Sequence, residues 1–395
     1  MAERRGRIRL GIAGLGMGLS HARAALAARG AELVALADAN EDILEQKRDR
    51  IVKSCGQDGY ERLTKLPLYA DYRRMMRMAE LDAVLIALPT SMHAEASELA
   101  LECGLHVLCE KPPATSASQM ARVAELARAK ELTYMFARQQ RFDPAKQLVR
   151  RLVDRGQLGP IYHSESKWIR SGFIPFRKGW GVNRRHGGGV LLDLGVHAID
   201  DGWFLMGCPR PVEAFAALHC SFPHLGEGRG LEHAYDADDC ATGFVRFANG
   251  GSLNFTVTFA MNTAGPHGAP LVGEGAAEWR ELGVYGVRAG ASIHDGRLTL
   301  RKGRTEAVKV RELKAAMPKG KSELILQIEH FCSCLQKGRE VQNTPEQAMM
   351  LMQMLDALRE SAETGRSVTI AAPAAPAARE RKSSSRRLQA AETRA

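Results

Sequence analysis

The chain contains no hydrophobic run long enough to cross a bilayer, for which about 20 mostly apolar residues are needed, so a helical membrane protein is excluded. Its basic start, Met1 to Arg7, runs straight into a strand-like segment. It has neither the apolar core nor the small-residue cleavage site of a secretory leader, so a cytoplasmic protein is expected. The cysteines form no Cys-x-x-Cys pair and no Cys/His spacing resembles a zinc site, which points to free thiols in a reducing compartment. No internal repeat is present, so the chain is not a repeat array. Acidic residues are in deficit: 55 Lys and Arg stand against 45 Asp and Glu, a net charge of +10. Much of that excess lies beyond Ile370, where Arg379, Arg381, Lys382, Arg386, Arg387 and Arg394 face only Glu380 and Glu392. The remainder is mildly basic, which suits an anionic cofactor as well as a nucleic acid. Nucleic-acid binding through the tail would be salt-sensitive and lost on truncation near Ile370; it is not the favoured reading.

With 395 residues, 45% of them apolar, the chain exceeds one ordinary core, and two domains with an appendage are expected. Apolar runs at residues 7–13, Glu32–Ala37, Leu66–Tyr69, Ala83–Leu88, His106–Cys109 and Leu132–Phe136 predict strands. Between them, helical patterns cover Ser20–Arg29, Glu41–Lys53, Asp71–Glu80, Ala94–Cys103 and Ser118–Lys130. Strict alternation of the two predicts βαβ crossovers and a parallel sheet. After about residue 140 the rhythm changes. A helix over Pro144–Arg155 precedes strands at Tyr162–Ile169, Val212–His219, Ala241–Phe247, Ser252–Phe259, Arg297–Arg301 and Ala307–Val310, several joined by hairpin turns such as Asn249-Gly250-Gly251. Helices over Ser322–Gln336 and Thr344–Glu363 follow. The expected fold is an α/β Rossmann N-terminal domain plus an α+β C-terminal domain with a mostly antiparallel open sheet. The boundaries fall at 1–138 (dinucleotide-binding), 139–370 (substrate-binding and oligomerisation) and 371–395, a disordered basic tail.

Gly14-Leu15-Gly16-Met17-Gly18 lies between the first strand and the first helix, where glycines let the backbone approach a pyrophosphate that the helix N-terminus then faces. Asp38 closes the second strand about 20 residues further on, placed to accept hydrogen bonds from a ribose. A carboxylate there repels a 2′-phosphate, so the expected cofactor is NAD rather than NADP. The spacing departs from G-x-G-x-x-G, because the third glycine comes one residue early and shortens the loop.

Three further stretches carry a more specific signal: Gly104-Leu-His106-Val-Leu-Cys109-Glu110-Lys111-Pro112, the upstream Leu88-Pro89-Thr90-Ser91-Met92-His93, and Gly187-Gly-Gly-Val-Leu-Leu-Asp193-Leu-Gly-Val-His197-Ala-Ile-Asp200. Together with Gly18-x-x-His21, Arg141-Phe142 and Gly156-Gln-Leu-Gly159, they resemble the Gfo/Idh/MocA family of oxidoreductases over nearly the whole chain to about Ile370. The resemblance implies a Rossmann domain and a C-terminal α/β domain whose open sheet often forms a dimer face, hence a homo-oligomer, dimer or tetramer. It implies Lys111, Asp193 and His197 at the reacting centre, often with a cis Lys-Pro peptide. Pro89, Thr90 and Glu110 then join the glycine loop, Asp38 and Lys111 around the cofactor, and His93 either joins them near the nicotinamide or caps the helix that follows it.

The chemistry agrees independently. Oxidising a secondary alcohol takes a base for the hydroxyl proton and a donor for the developing alkoxide. Neutral His197 suits the base and Lys111 the donor, although lysine with a lowered pKa could take the proton. Asp193 and His197 share a helical face, so Asp193 either contacts the substrate or holds the imidazole. Substrate contacts are expected from Lys111, Arg170, Trp180, Asp193 and His197, with Trp168, Lys178, Arg185 and His186 nearby. His186, Asp193, His197 and Asp200 do not form a diagnostic metal spacing, and no metal is assigned. The expected activity is hydride transfer between NAD and a secondary alcohol of a polyol, sugar or sugar derivative. The alternatives are an NAD-retaining enzyme that oxidises transiently for elimination or glycoside cleavage, and a non-catalytic ligand sensor on the same fold.

Overall fold

Apolar strands alternating with helices build the first half of the molecule. The computed structural model describes residues 6–52, 65–170, 179–223, 235–261, 278–294, 296–303 and 308–372. In it β1 (Ile8–Ala13) passes through the glycine loop into α1 (Gly18–Ala27). Then come β2 (Ala31–Ala37), α2 (Glu41–Val52), β3 (Leu68–Tyr69), α3 (Tyr72–Met78), β4 (Ala83–Ile86), α4 (His93–Glu102), β5 (His106–Cys109), α5 (Ala117–Ala129) and β6 (Tyr134–Phe136). These six strands form one parallel sheet in the order β3-β2-β1-β4-β5-β6. The order reverses between β1 and β4, and at such a point the carboxyl ends of neighbouring strands open a crevice for a ligand. β4 is buried at every residue, as its unbroken apolar run requires.

The second half begins with α6 (Pro144–Asp154), capped by Asp143 through the backbone N–H of Lys146 and started by Pro144. It continues with β7 (Ile161–Arg170), a π turn (Leu191–Gly195) leading into α7 (Val196–Leu205), β8 (Pro211–His219), β9 (Cys240–Phe247) and β10 (Ser252–Thr258). It closes with β11 (Glu278–Gly286), β12 (Ala289–His294), β13 (Arg297–Lys302), β14 (Lys309–Leu313), α8 (Glu323–Lys337), α9 (Pro345–Thr364) and β15 (Val368–Thr369). The nine strands run β14-β13-β12-β11-β7-β10-β9-β8-β15, antiparallel except where β10 meets β7. α7 covers one face of this sheet, over β7, β10 and β11. On the strands β8 and β9, Phe215 and Phe244 pair across the other face and are exposed.

The fold class expected from the sequence stands, but β11 and β12 were not anticipated. Their sequences, EWRELGVYG and AGASIH, hide the alternation behind small residues. Gly286 is required there, because a Cβ would lie 2.2 Å from the Leu158 carbonyl oxygen. The expected last strand, Ala307–Val310, is instead β14 at Lys309–Leu313, and residues 304–307 lie outside the described residues. So do residues 373–395, almost the whole of the expected tail. α1 starts at Gly18, two positions before the expected Ser20. The chain also returns to its first sheet: α8 packs Ile328, Phe331 and Cys332 against Leu10, Ile12 and Leu15. A second cluster joins the sheets, bringing Val84, Val107 and Phe136 into one core with Val190, Trp203, Leu253 and Leu355. Among the described residues no helix is long and apolar enough to cross a membrane.

Candidate active site

Two of the three glycines of the first loop, Gly14 and Gly18, have a steric reason within the protein. Gly14 has φ +87°, and a Cβ there would meet the Ala87 carbonyl oxygen at 2.5 Å, so only glycine lets the loop cross the end of β4. Nothing lies within 4 Å of the Cβ position of Gly16, which leaves its backbone open. At Gly18 a Cβ would stand 3.0 Å from Ile12 Cγ2, where α1 closes onto β1. Asp38, just past β2, accepts from the Leu15 N–H at 2.8 Å and from the Asn40 N–H at 3.1 Å, so its carboxylate also braces the loop. Open backbone at a helix start with a carboxylate beside it fits a dinucleotide's pyrophosphate and ribose. Met17 is 45% exposed in the loop, Pro89 is exposed at the end of β4, and Thr90 is buried close to Gly187.

Two residues expected to touch the cofactor have side chains engaged elsewhere. Glu110 is 4% exposed; its Oε1 lies 2.5 Å from His21 Nε2, and its Oε2 accepts from the Lys111 N–H at 2.9 Å. Burial alone would raise its pKa, but His21 and Lys111 outweigh that and hold it below the usual carboxylate range. Glu110 thus ties α1 to the loop that carries Lys111, whose peptide bond to Pro112 is cis. His93 is 1% exposed, with Nδ1 2.6 Å from the Pro112 carbonyl oxygen and Nε2 2.7 Å from that of Leu88. Carbonyls only accept, so both ring nitrogens donate and the ring carries a positive charge. Burial opposes the charge, but Cys109 and the two carbonyls overcome it and raise the pKa to about 9. The charge therefore stabilises the fold in full below pH 6.5, the ordinary histidine value, and that contribution is lost as pH rises through about 9. The loss is on the order of 3 kcal/mol. Urea unfolding at a series of pH values checks this, and His93→Gln should flatten the decline.

At the junction of the two sheets, Lys111 Nζ donates to Asp193 Oδ1 at 2.9 Å and to the Asp193 carbonyl at 3.1 Å. The lysine follows β5; the aspartate sits on the π turn. His197, one turn further on in α7, is 5% exposed and packs on Trp168 with ring centroids 5.2 Å apart. The structure thus brings Lys111, Asp193 and His197 to one place. Of the two roles left open for Asp193, contacting the substrate or holding the imidazole, the second is one that Arg138 fills. Arg138 Nη1 bonds His197 Nδ1, and its Nη2 reaches the His197 carbonyl at 3.1 Å. Burial, then Arg138 and Lys111, push the His197 pKa well below its ordinary value, so the ring is neutral.

Beneath this lies a buried ionic network. Arg138 Nε donates to Asp200 Oδ2 at 2.7 Å and its Nη2 to Asp201 Oδ1 at 3.1 Å. Arg141 bonds Asp200 through Nε at 2.9 Å and Nη2 at 2.5 Å, and Lys146 Nζ reaches Asp201 Oδ2 at 2.6 Å. Asp200 is therefore committed to two arginines rather than to a metal. Arg138, Lys146 and Asp201 were not anticipated from the sequence. One signal was present: two consecutive aspartates inside the apolar helix VHAIDDGWFL must find cations when buried. Arg170 bonds Glu278 at 2.7 Å, and Arg280, also unanticipated, stacks 3.6 Å from the Trp168 ring centre. Arg185 is exposed. Trp180 lies in the short turn Gly179–Val182, but its side chain and that of His186 fall outside the described residues, as does Lys178.

Residues 8–138 match the family described as oxidoreductase family, NAD-binding Rossmann fold. Residues 150–370 match the oxidoreductase family, C-terminal alpha/beta domain, of the same Gfo/Idh/MocA group. The chain is 28% identical to D-glucoside 3-dehydrogenase of Escherichia coli K12 over 323 residues, 78% of this chain and 85% of that protein. It is 26% identical to levoglucosan dehydrogenase of Pseudarthrobacter phenanthrenivorans over 239 residues, 56% of this chain and 58% of that protein. Among solved structures, levoglucosan dehydrogenase in complex with NADH and levoglucosan superposes with a TM-score of 0.77 at 21% identity, covering 93% of this chain and 100% of that one.

Proposed function

Because the chain belongs to the Gfo/Idh/MocA family of NAD-binding oxidoreductases, we propose that it is a dehydrogenase for a secondary alcohol of a sugar or sugar derivative, with glycosides and anhydrosugars the first candidates. The observation that carries this reading is the 2.9 Å contact of Lys111 with Asp193 beside His197, a donor, a carboxylate and an imidazole from two parts of the fold. Relatives named for D-glucosides and levoglucosan support the choice of substrate class.

Bound NAD supplies the acceptor for the hydride that leaves the substrate carbon. Lys111 donates to the substrate oxygen and stabilises the negative charge that develops there. Asp193 orients the ammonium group, and His197 approaches the same oxygen. Gly14, Gly16, Met17, Gly18, Asp38, Pro89 and Thr90 hold the dinucleotide, while His93 and Glu110 keep the surrounding loops in place. Arg170 and Trp180 are our candidates for the substrate's outer hydroxyls. The exposed Phe215 and Phe244 favour a homo-oligomer through the open sheet face. Seven free thiols among the described residues suit a reducing, cytoplasmic setting.

The test is a screen of methyl glucosides, levoglucosan, polyols and sugar acids with NAD and NADP, following the absorbance of the reduced dinucleotide. NAD-dependent oxidation of a glycoside is expected. No turnover together with no dinucleotide uptake by calorimetry would refute the reading, and glycoside consumption without net reduction would assign the oxidation to a transient step. Asp38→Ala should raise the NADP-to-NAD ratio of kcat/KM at least about 10-fold, because the charge that repels a 2′-phosphate is gone. An unchanged ratio would remove Asp38 from cofactor selection.

A further inference from the structure

We propose that Arg138 locks His197 in the tautomer with its proton on Nε2, so that this histidine donates to the substrate oxygen and the Lys111–Asp193 pair takes the hydroxyl proton. The inference rests on the dehydrogenase reading and specifies how the proton moves in it.

A guanidinium group has only donors. With Arg138 Nη1 on His197 Nδ1, that ring nitrogen must present its lone pair, and in a neutral ring the proton sits on Nε2. For His197 to act as a base, the lone pair would have to be on Nε2 and the proton on Nδ1, where it would face an arginine N–H. Arg138 cannot swing aside, because Asp200, Asp201 and the His197 carbonyl hold its other donors and it is 0% exposed. Trp168 packs on the ring and limits its rotation. The low pKa of His197 agrees: a second ring proton would have to enter at the nitrogen that Arg138 occupies. Among the described residues the imidazole is hydrogen-bonded by Arg138 at Nδ1, which leaves Nε2–H for a ligand.

On oxidation the substrate O–H bond breaks and the proton passes to the Lys111–Asp193 pair; the electron pair left on oxygen forms the second C–O bond as the C–H bond breaks, and the hydride would be taken up by bound NAD, which is reduced. That pair is already joined at 2.9 Å and has a carboxylate to receive it. Nε2–H of His197 and an N–H of Lys111 then hold the oxygen from two sides, as an oxyanion site requires.

Histidine-selective 15N spectra of the full chain, with His197 assigned from its loss in His197→Gln, read the tautomer directly. Expected is a protonated Nε2 and a bare Nδ1, unchanged over about pH 6 to 8. A protonated Nδ1, or a ring that gains a second proton in that range, would overturn the proposal. Kinetics with methyl glucoside and NAD give a second test. His197→Gln, which keeps an N–H near the Nε2 position, should stay within about 10-fold of the wild-type kcat, and His197→Ala should lose about 100-fold or more. Equal losses in the two variants would restore the base role. In Arg138→Lys, which cannot fill all four contacts, the expected change is loss of the single tautomer, read as 15N shifts of the two ring nitrogens moving toward each other; a spectrum identical to wild type would remove Arg138 from control of the tautomer. If the chain oxidises no sugar at all, the functional reading fails, while the spectra of the free protein still decide the tautomer.

Discussion

Replacing Lys111 by alanine lowers turnover about 1000-fold or more and leaves NAD affinity within about 3-fold. The ammonium is pinned to a carboxylate yet partly open to solvent: its side chain is 18% exposed, whereas Arg138 and Arg141 are fully buried. Removing it takes away the proposed donor for the developing alkoxide and one cation from beside Asp193, so both changes raise the barrier. In the proposed reading the dinucleotide rests mainly on the glycine loop and Asp38, which is why binding should survive. Calorimetry with NAD and steady-state kinetics with a glycoside separate the two effects. Undiminished turnover would remove Lys111 from the chemistry; lost NAD uptake would mean that its loop had collapsed.

Asp200→Ala should destabilise the protein by about 3–5 kcal/mol, a large part of a typical total stability of roughly 5–15 kcal/mol. The Asp200 side chain is 0% exposed, and its two oxygens are shared by Arg138 and Arg141. Truncation leaves two buried guanidinium groups with much less counter-charge, and that desolvation cost, not the loss of one contact, sets the size of the effect. Burial alone would raise the Asp200 pKa, yet Arg141 and Arg138 hold it below the ordinary carboxylate value. This contribution is therefore present in full above the ordinary value and is lost as pH falls through the depressed one. Chemical denaturation across the acid range should show a wild-type decline that is weaker in Asp200→Ala. Equal stability at neutral pH would mean that other groups absorb the charge. Turnover should fall as well, because Arg138 loses the partner that aims it at His197.

Much of the site is legible in the amino-acid sequence. Lys111, Asp193 and His197 stand in motifs whose order along the chain implies convergence, and the glycine loop and Asp38 announce a dinucleotide. The inward bonding of His93 and Glu110 was not legible for one reason: a polar residue at the mouth of a crevice has the same sequence signature whether it faces the ligand or is turned inward to hold two loops together. The strands β11 and β12 were hidden by glycines, since small residues carry no hydrophobic alternation even where the backbone pairs regularly.

Fold class and cofactor chemistry are written in local patterns, because strand and helix periods, turn glycines and a carboxylate at a strand end act over a few neighbouring residues. The partners of the buried charges are not. Arg138 meets Asp200 and Asp201 from positions 62 and 63 residues away, and Lys111 meets Asp193 across 82. Only the packing of one sheet against the other selects those pairings, and with them which nitrogen of His197 carries the proton.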